Sequence, residues 1–87
     1  MVKPFTEDSL SDVESIRTFE PDIDVMDLKW HQDWEDRVVE FISGEGWKFQ
    51  FDDNLPVECE GKFFIKAGTW HRLIKGNTPL VAKIIKS

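Results

Sequence analysis

The sequence contains little cysteine, no tyrosine and no long apolar run. Its single cysteine, Cys59, excludes an internal disulfide, and with it the class of small secreted domains that disulfides hold together. A reducing compartment suits such a chain, so we expect a cytoplasmic protein. Cys59 lies between two glutamates that disfavour a thiolate, and we therefore expect no reactive role for it.

Positive charge is also scarce. The 87 residues include 11 Lys and Arg against 17 Asp and Glu, which gives a formal net charge of −6. Nucleic-acid-binding domains carry clustered basic residues, and membrane spans and signal peptides need apolar runs that this sequence lacks. We expect neither nucleic-acid nor membrane partners. Four tryptophans and seven phenylalanines supply the large side chains that so short a chain needs for a core.

Residues 1–22 differ in composition from the rest of the sequence, since they are polar and acidic, and we interpret them as an N-terminal extension. Apolar side chains recur there at every third residue, namely at Leu10, Val13, Ile16 and Phe19. This spacing predicts a short helix that ends before Pro21. An edge strand over residues 16–20 is the alternative.

Residues 23–87 have a period of two and form the second region, which we interpret as one domain. Strands are predicted for residues 25–32, 37–43, 47–52, 57–59, 62–66, 70–75 and 80–86. Turn-forming residues separate these segments and no helical pattern lies between them, which predicts an antiparallel sandwich or barrel.

The only two histidines indicate chemistry. Asp33 follows His31 by two residues, so both side chains share one face of a strand. His71 arrives from a later strand and completes a set of two imidazoles and one carboxylate. That set is typical of divalent-metal sites with open coordination positions, and it suits iron, manganese, nickel or zinc.

The spacing around these residues resembles the two motifs of the cupin family. The first motif is His-x-His, three or four residues, Glu, six residues, Gly; the chain has His31, Asp33, Arg37 and Gly44 there. The second motif is Gly, four or five residues, Pro-x-Gly-x-x-His, three residues, Asn; the chain has Gly61, Lys66, Gly68, His71 and Lys75 there. The resemblance covers roughly residues 25–85. It implies an all-β fold, a small cupin-type double-stranded β-helix (jelly-roll) barrel behind a short N-terminal extension.

The resemblance implies a modified metal site. Cupins bind metal through both histidines and the glutamate of the first motif and the histidine of the second. His31 and His71 match, whereas Asp33 replaces a histidine and Arg37, which cannot ligate a metal, replaces the glutamate. The remaining three ligands resemble the facial triad of iron- and 2-oxoglutarate-dependent oxygenases. The chain is much shorter than those enzymes, and Arg72 directly follows the distal histidine, so we assign no 2-oxoglutarate chemistry.

Four further residues are candidates for ligand binding. Arg37 either pairs with Asp33 or holds an anionic group of the ligand. Trp34 and Trp70 flank the site, either as core or interface anchors or as a stacking wall. Gln50 faces the interior only if the aromatic side chains of its strand face outward.

The strand around His31 also predicts a homodimer. If His31 faces inward, Met26, Leu28 and Trp30 face outward and need a cover, which the N-terminal segment or a second subunit would provide.

Three functions remain open at this point, and no catalytic residue or substrate is predicted. The first is a divalent-metal cupin that acts on or senses a small polar or anionic molecule, including an enzyme of the oxygenase or isomerase type. The second is a metal-free small-molecule or carbohydrate-binding cupin. The third is a structural or interaction module that an Asp33–Arg37 pair closes.

Overall fold

A computed structural model describes residues 5–24 and 28–86, and every regular element in these ranges is a β-strand. The strands are β1 Thr6–Ser9, β2 Glu14–Phe19, β3 Arg37–Ser43, β4 Lys48–Phe51, β5 Val57–Glu58, β6 Gly61–Ile65, β7 His71–Ile74 and β8 Leu80–Lys86. The part of the chain described contains no helix of the length and apolar character that crosses a bilayer. The predicted all-β class is confirmed.

The strands form two antiparallel sheets. One has five strands in the order β1-β2-β8-β3-β6, and the other has three in the order β5-β4-β7. Strand β8 shows why this sequence forms a central strand, because Leu80, Ala82 and Ile84 are buried while the residues between them are not. That alternation puts one face of the sheet against the opposing sheet.

The core between the sheets has two clusters. One contains Val39, Phe49, Ile65, Ala82 and Ile84; the other contains Phe19, Trp47 and Leu80. We call the second cluster the closed end of the barrel. The Trp47 side chain is 1% exposed, and its indole N–H donates a hydrogen bond of 2.6 Å to the Thr78 carbonyl.

The N-terminal helix prediction is wrong. Residues 6–9 and 14–19 form a hairpin whose second strand, β2, pairs with β8 over six residues, from Glu14↔Ile85 to Phe19↔Leu80. An isolated short helix is marginal in water, whereas this pairing completes the backbone hydrogen bonds of an otherwise open sheet edge. The alternative of an edge strand over residues 16–20 agrees better with the structure, because most of these residues lie in β2. The edge of the sheet is formed by β1, and β2 lies between β1 and β8.

The described part of the first predicted strand of the barrel, residues 28–32, contains only an isolated bridge at His31. Residues 25–27, and with them the orientation of Met26, lie outside the described residues, and residues 28–30 are not strand. Without strand alternation, the outward orientation predicted for Leu28 is wrong: this side chain packs against the closed end. Trp30 is 37% exposed, with the Arg72 guanidinium 4.7 Å from its ring centroid. The homodimer stays a prediction.

Candidate metal centre

Three side chains meet at the end of the barrel opposite the closed end, which we call the open end. His31 and His71 form an isolated antiparallel bridge, with both backbone N–H···O distances at 3.0 Å. The Gly68 N–H donates a hydrogen bond of 2.8 Å to the carbonyl of Asp33. This bond links the segment that follows His31 to the loop that precedes His71. His31, Asp33 and His71 each offer a ligand atom, and these atoms lie within 4.8 Å of one another.

Backbone carbonyls set the orientation of both imidazoles. The Nδ1 atom of His31 lies 3.0 Å from the Lys29 carbonyl, and that of His71 lies 2.9 Å from the Thr69 carbonyl. A carbonyl oxygen only accepts hydrogen bonds, so each Nδ1 carries a proton, and a neutral ring in this tautomer has its lone pair on Nε2. Metal-binding histidines are commonly held in this way.

Asp33 divides its two carboxylate oxygens between different partners. Oδ1 lies 3.2 Å from Nη1 of Arg37, so the predicted Asp33–Arg37 pair forms. Oδ2 is buried, lies 3.3 Å from Nε2 of His71, and has no hydrogen-bond partner within residues 5–24 and 28–86. That contact becomes a hydrogen bond only when a proton sits on Nε2. The salt bridge therefore leaves one oxygen for a cation.

Arg37 is occupied by a second carboxylate as well. Its Nε and Nη2 donate hydrogen bonds of 3.2 and 2.8 Å to Oε1 of Glu35. Arg37 lines the cavity, but the neighbouring carboxylates take donors on both of its edges. The structure thus shows Arg37 paired with both Asp33 and Glu35.

The electrostatics favour the deprotonated forms of two of the three residues. Desolvation of the His31 ring lowers its pKa below 6.5 and outweighs the opposite effect of its hydrogen bond to the Lys29 carbonyl, while the nearby Arg37 charge also lowers this pKa. Desolvation raises the pKa of Asp33, but its contacts with His71 and Arg37 outweigh this effect and bring the pKa below 3.8. At neutral pH the site thus presents a neutral imidazole and a carboxylate, the forms that bind a cation.

A cavity of about 400 Å³ reaches the triad. Its walls are mainly apolar and include Phe41, Phe49 and Leu73, while its charged lining residues are Arg17, Lys29, Asp33 and Arg37. Asp33 and Arg37 therefore both face this cavity.

The other predicted ligand-binding residues lie away from this cavity. Gln50 is on the outer face of β4, because the aromatic side chains there face the core; it accepts a hydrogen bond of 3.0 Å from Arg72 Nε. Trp34 is 83% exposed and Trp70 is 44% exposed. Within the described part of the chain, none of these three is among the lining residues.

The sequence interpretation did not include Arg17 among the site residues, because the segment that contains it was predicted to be a helix. Arg17 lines the cavity from β2. The alternation of Ser15, Arg17 and Phe19 is the signal that could have placed it, because Ser15 and Phe19 are buried on the same face.

Burial raises the pKa of Cys59 to about 12, and Glu58 adds to this effect, in agreement with the expectation of an unreactive thiol.

Comparison with known proteins identifies the fold. No protein-family model and no curated protein matches the sequence. Among solved structures, the DMSP lyase DddQ from Ruegeria pomeroyi matches with a TM-score of 0.75 at 15% identity, over 95% of this chain and 46% of that one. A cupin domain from Bordetella pertussis matches with a TM-score of 0.59 at 15% identity, over 100% of this chain and 98% of that one.

A cupin-2 domain-containing protein from Shewanella frigidimarina also matches, with a TM-score of 0.62 at 14% identity, over 100% of this chain and 85% of that one. The chain has a cupin fold, as the motif spacing predicted. It spans less than half the length of the DMSP lyases that it matches, at 46% and 36% of those chains.

Proposed function

We propose that this chain is a divalent-metal cupin that acts on or senses a small polar or anionic molecule, with His31, Asp33 and His71 holding the metal. One observation carries the proposal. Among the described residues, no hydrogen-bond donor is assigned to the buried Oδ2 of Asp33, which faces Nε2 of His71, and the Nδ1 atom of that ring donates to a backbone carbonyl. Two buried acceptors in contact are unfavourable unless a cation lies between them.

The donor set fits a divalent metal. Two imidazole nitrogens and one carboxylate form a facial triad with open positions, which suits iron and also admits manganese, nickel and zinc. The 3.3 Å between Nε2 of His71 and Oδ2 of Asp33 suits adjacent ligands. Bonds of about 2.1 Å at tetrahedral or octahedral angles separate two ligand atoms by about 3.0–3.4 Å.

The chain's own residues prepare the site. The carbonyls of Lys29 and Thr69 hold the two imidazoles, and Arg37 holds Oδ1 so that Asp33 presents Oδ2. The apolar walls of the cavity limit access of water to a bound molecule. A divalent metal held here would supply Lewis-acid polarisation of an oxygen atom of that molecule.

A metal-free binding cupin is the second candidate, and the same contact supports it. A proton on Nε2 of His71 would turn the 3.3 Å approach to Asp33 into a charged hydrogen bond. The cavity would then bind its ligand without a metal. In that case organic acids or sugars would raise the thermal stability of a protein that retains no metal.

Metal binding decides between the two candidates. Protein purified without a histidine tag and stripped with EDTA would be titrated with iron(II), manganese, nickel and zinc, with metal content measured after desalting. We expect one metal per chain. Asp33→Asn keeps the side-chain shape and should weaken binding at least about tenfold, whereas Asp53→Asn, at an exposed turn residue, should not. Substoichiometric metal with every ion would overturn the proposal, and unchanged affinity in Asp33→Asn would remove Asp33 from the site.

A further inference from the structure

The cavity has a second cationic position, well separated from Arg37. Arg17 lies opposite Ala82 on β8, and Arg37 lies opposite Lys86 on the same strand. Four residues along a strand correspond to about 13 Å. A ligand in the cavity can therefore have one end near the triad and the other near Arg17.

Arg17 is held in place but keeps hydrogen-bonding capacity. Its Nε donates a hydrogen bond of 2.6 Å to Oε2 of Glu7, the oxygen that also accepts a bond of 3.1 Å from the Ser15 hydroxyl. Its Cζ lies 4.2 Å from the centroid of the Phe5 ring, and its side chain is only 15% exposed. Among the described residues, no group accepts a hydrogen bond from Nη1 or Nη2.

This pattern differs from that of Arg37. A guanidinium binds a carboxylate bidentately through either of two edges. Neighbouring carboxylates take donors on both edges of Arg37, whereas Glu7 takes only Nε of Arg17 and leaves the end edge, formed by Nη1 and Nη2. The role in anion binding that the sequence suggested for Arg37 therefore fits Arg17 better.

We propose that Arg17 binds the carboxylate of the cavity ligand through Nη1 and Nη2, so that the ligand is a small organic acid with an apolar body. The part of this inference that places the ligand's other end at the triad rests on the proposed function. Val39 lines the cavity from a position opposite Ile84, between the levels of Arg17 and Arg37 along β8, and the wall it contributes is apolar. The charged lining consists of three basic residues and one carboxylate, in a protein whose net charge is −6.

The test uses full-length protein in EDTA, so that it does not depend on a metal. The probes are 4-phenylbutyrate and 4-phenylbutanol, which share an apolar body and differ in the terminal group. We expect the unmodified protein to bind the carboxylate at least tenfold more tightly than the alcohol, with dissociation constants measured by NMR titration. Equal affinities, or no binding of the carboxylate at millimolar concentration, would overturn the proposal.

Matched variants show which positive charge causes the preference for 4-phenylbutyrate over 4-phenylbutanol. Arg17→Gln should abolish the preference for the carboxylate, and Arg17→Lys should retain part of it. Lys83→Gln is the control. Like Arg17, Lys83 pairs with a glutamate of the N-terminal hairpin, because its Nζ lies 3.2 Å from Oε2 of Glu14, but Lys83 lies on the outer face of β8. A preference unchanged in Arg17→Gln would overturn the proposal, as would one lost equally in Lys83→Gln.

The unmodified protein decides the question even if Arg17→Gln does not fold. The side-chain Nε–H signals of Arg17 and Arg37 can be followed as 4-phenylbutyrate is added. A shift at Arg17 that exceeds the shift at Arg37 supports the proposal, and the reverse order overturns it. Failure of metal binding would leave these results intact, so the two proposals fail separately.

Discussion

The two ends of the barrel differ in how fully their buried polar groups are paired. At the closed end, Trp47 and Leu80 are 1% and 0% exposed, and the one indole N–H has its acceptor in Thr78. At the open end, His71 is 4% exposed beside an oxygen of Asp33 that has no hydrogen-bond partner among the residues that the structure describes. An unpaired buried polar atom costs about 1–3 kcal/mol. The closed end therefore carries no such cost at its indole, whereas the open end carries one that the proposed cation would offset.

The largest effect should come from emptying the closed end. Trp47→Ala removes a fully buried ring and its hydrogen bond, and should lower the free energy of unfolding by about 3–5 kcal/mol. Urea denaturation followed by circular dichroism measures this loss. A loss below about 1 kcal/mol would show that the closed end is not the stable part of the barrel.

At the open end, stability should depend on metal. A ligand at one hundred times its dissociation constant stabilises the native state by about 2.7 kcal/mol. We expect this gain with zinc in the unmodified protein and little of it in Asp33→Asn, measured by urea denaturation with and without EDTA. An equal gain in both proteins would place the metal elsewhere.

Stability of the metal-free protein should also fall as the pH falls. The pKa of His31 is below 6.5 in the folded chain. The contribution of this residue to the free energy of unfolding is therefore complete above pH 6.5 and is lost as the pH falls through the pKa of the folded state. The lowered pKa of Asp33 acts in the same direction, with its contribution lost below pH 3.8. His31→Gln should flatten the first part of this curve in chemical denaturation at a series of pH values. An unchanged curve would contradict the electrostatic account of the site.

The smallest effect should come from Trp34, which belongs neither to the closed-end cluster nor to the triad. Its side chain is 83% exposed, so Trp34→Ala should change the free energy of unfolding by less than about 0.5 kcal/mol. It should also leave the affinity for 4-phenylbutyrate unchanged. A clear loss of that affinity would restore the stacking role predicted from the sequence.

The sequence predicted what depends on local pattern and motif spacing. Strands β3 and β8 occur at their predicted bounds, because β-branched and other large apolar residues are enriched there and turn-forming residues precede β8 and follow β3. The two motifs correctly indicated that His31, Asp33 and His71 meet. The role of Arg17 could not be predicted in the same way, because its orientation follows from the pairing of β2 with β8, about 65 residues apart in the chain. The placement of Leu28 likewise depends on contacts with the closed end rather than on its neighbours in sequence.

The central claim is that the Nε2 atoms of both histidines face a metal while their Nδ1 atoms donate to backbone carbonyls. Long-range ¹H–¹⁵N NMR of the imidazoles tests it directly, and the chain's two histidines make assignment simple. On adding one equivalent of zinc to EDTA-stripped protein, both Nε2 signals should move to metal-bound positions while both Nδ1 atoms stay protonated. Unchanged imidazole signals, or zinc bound through Nδ1, would contradict the account.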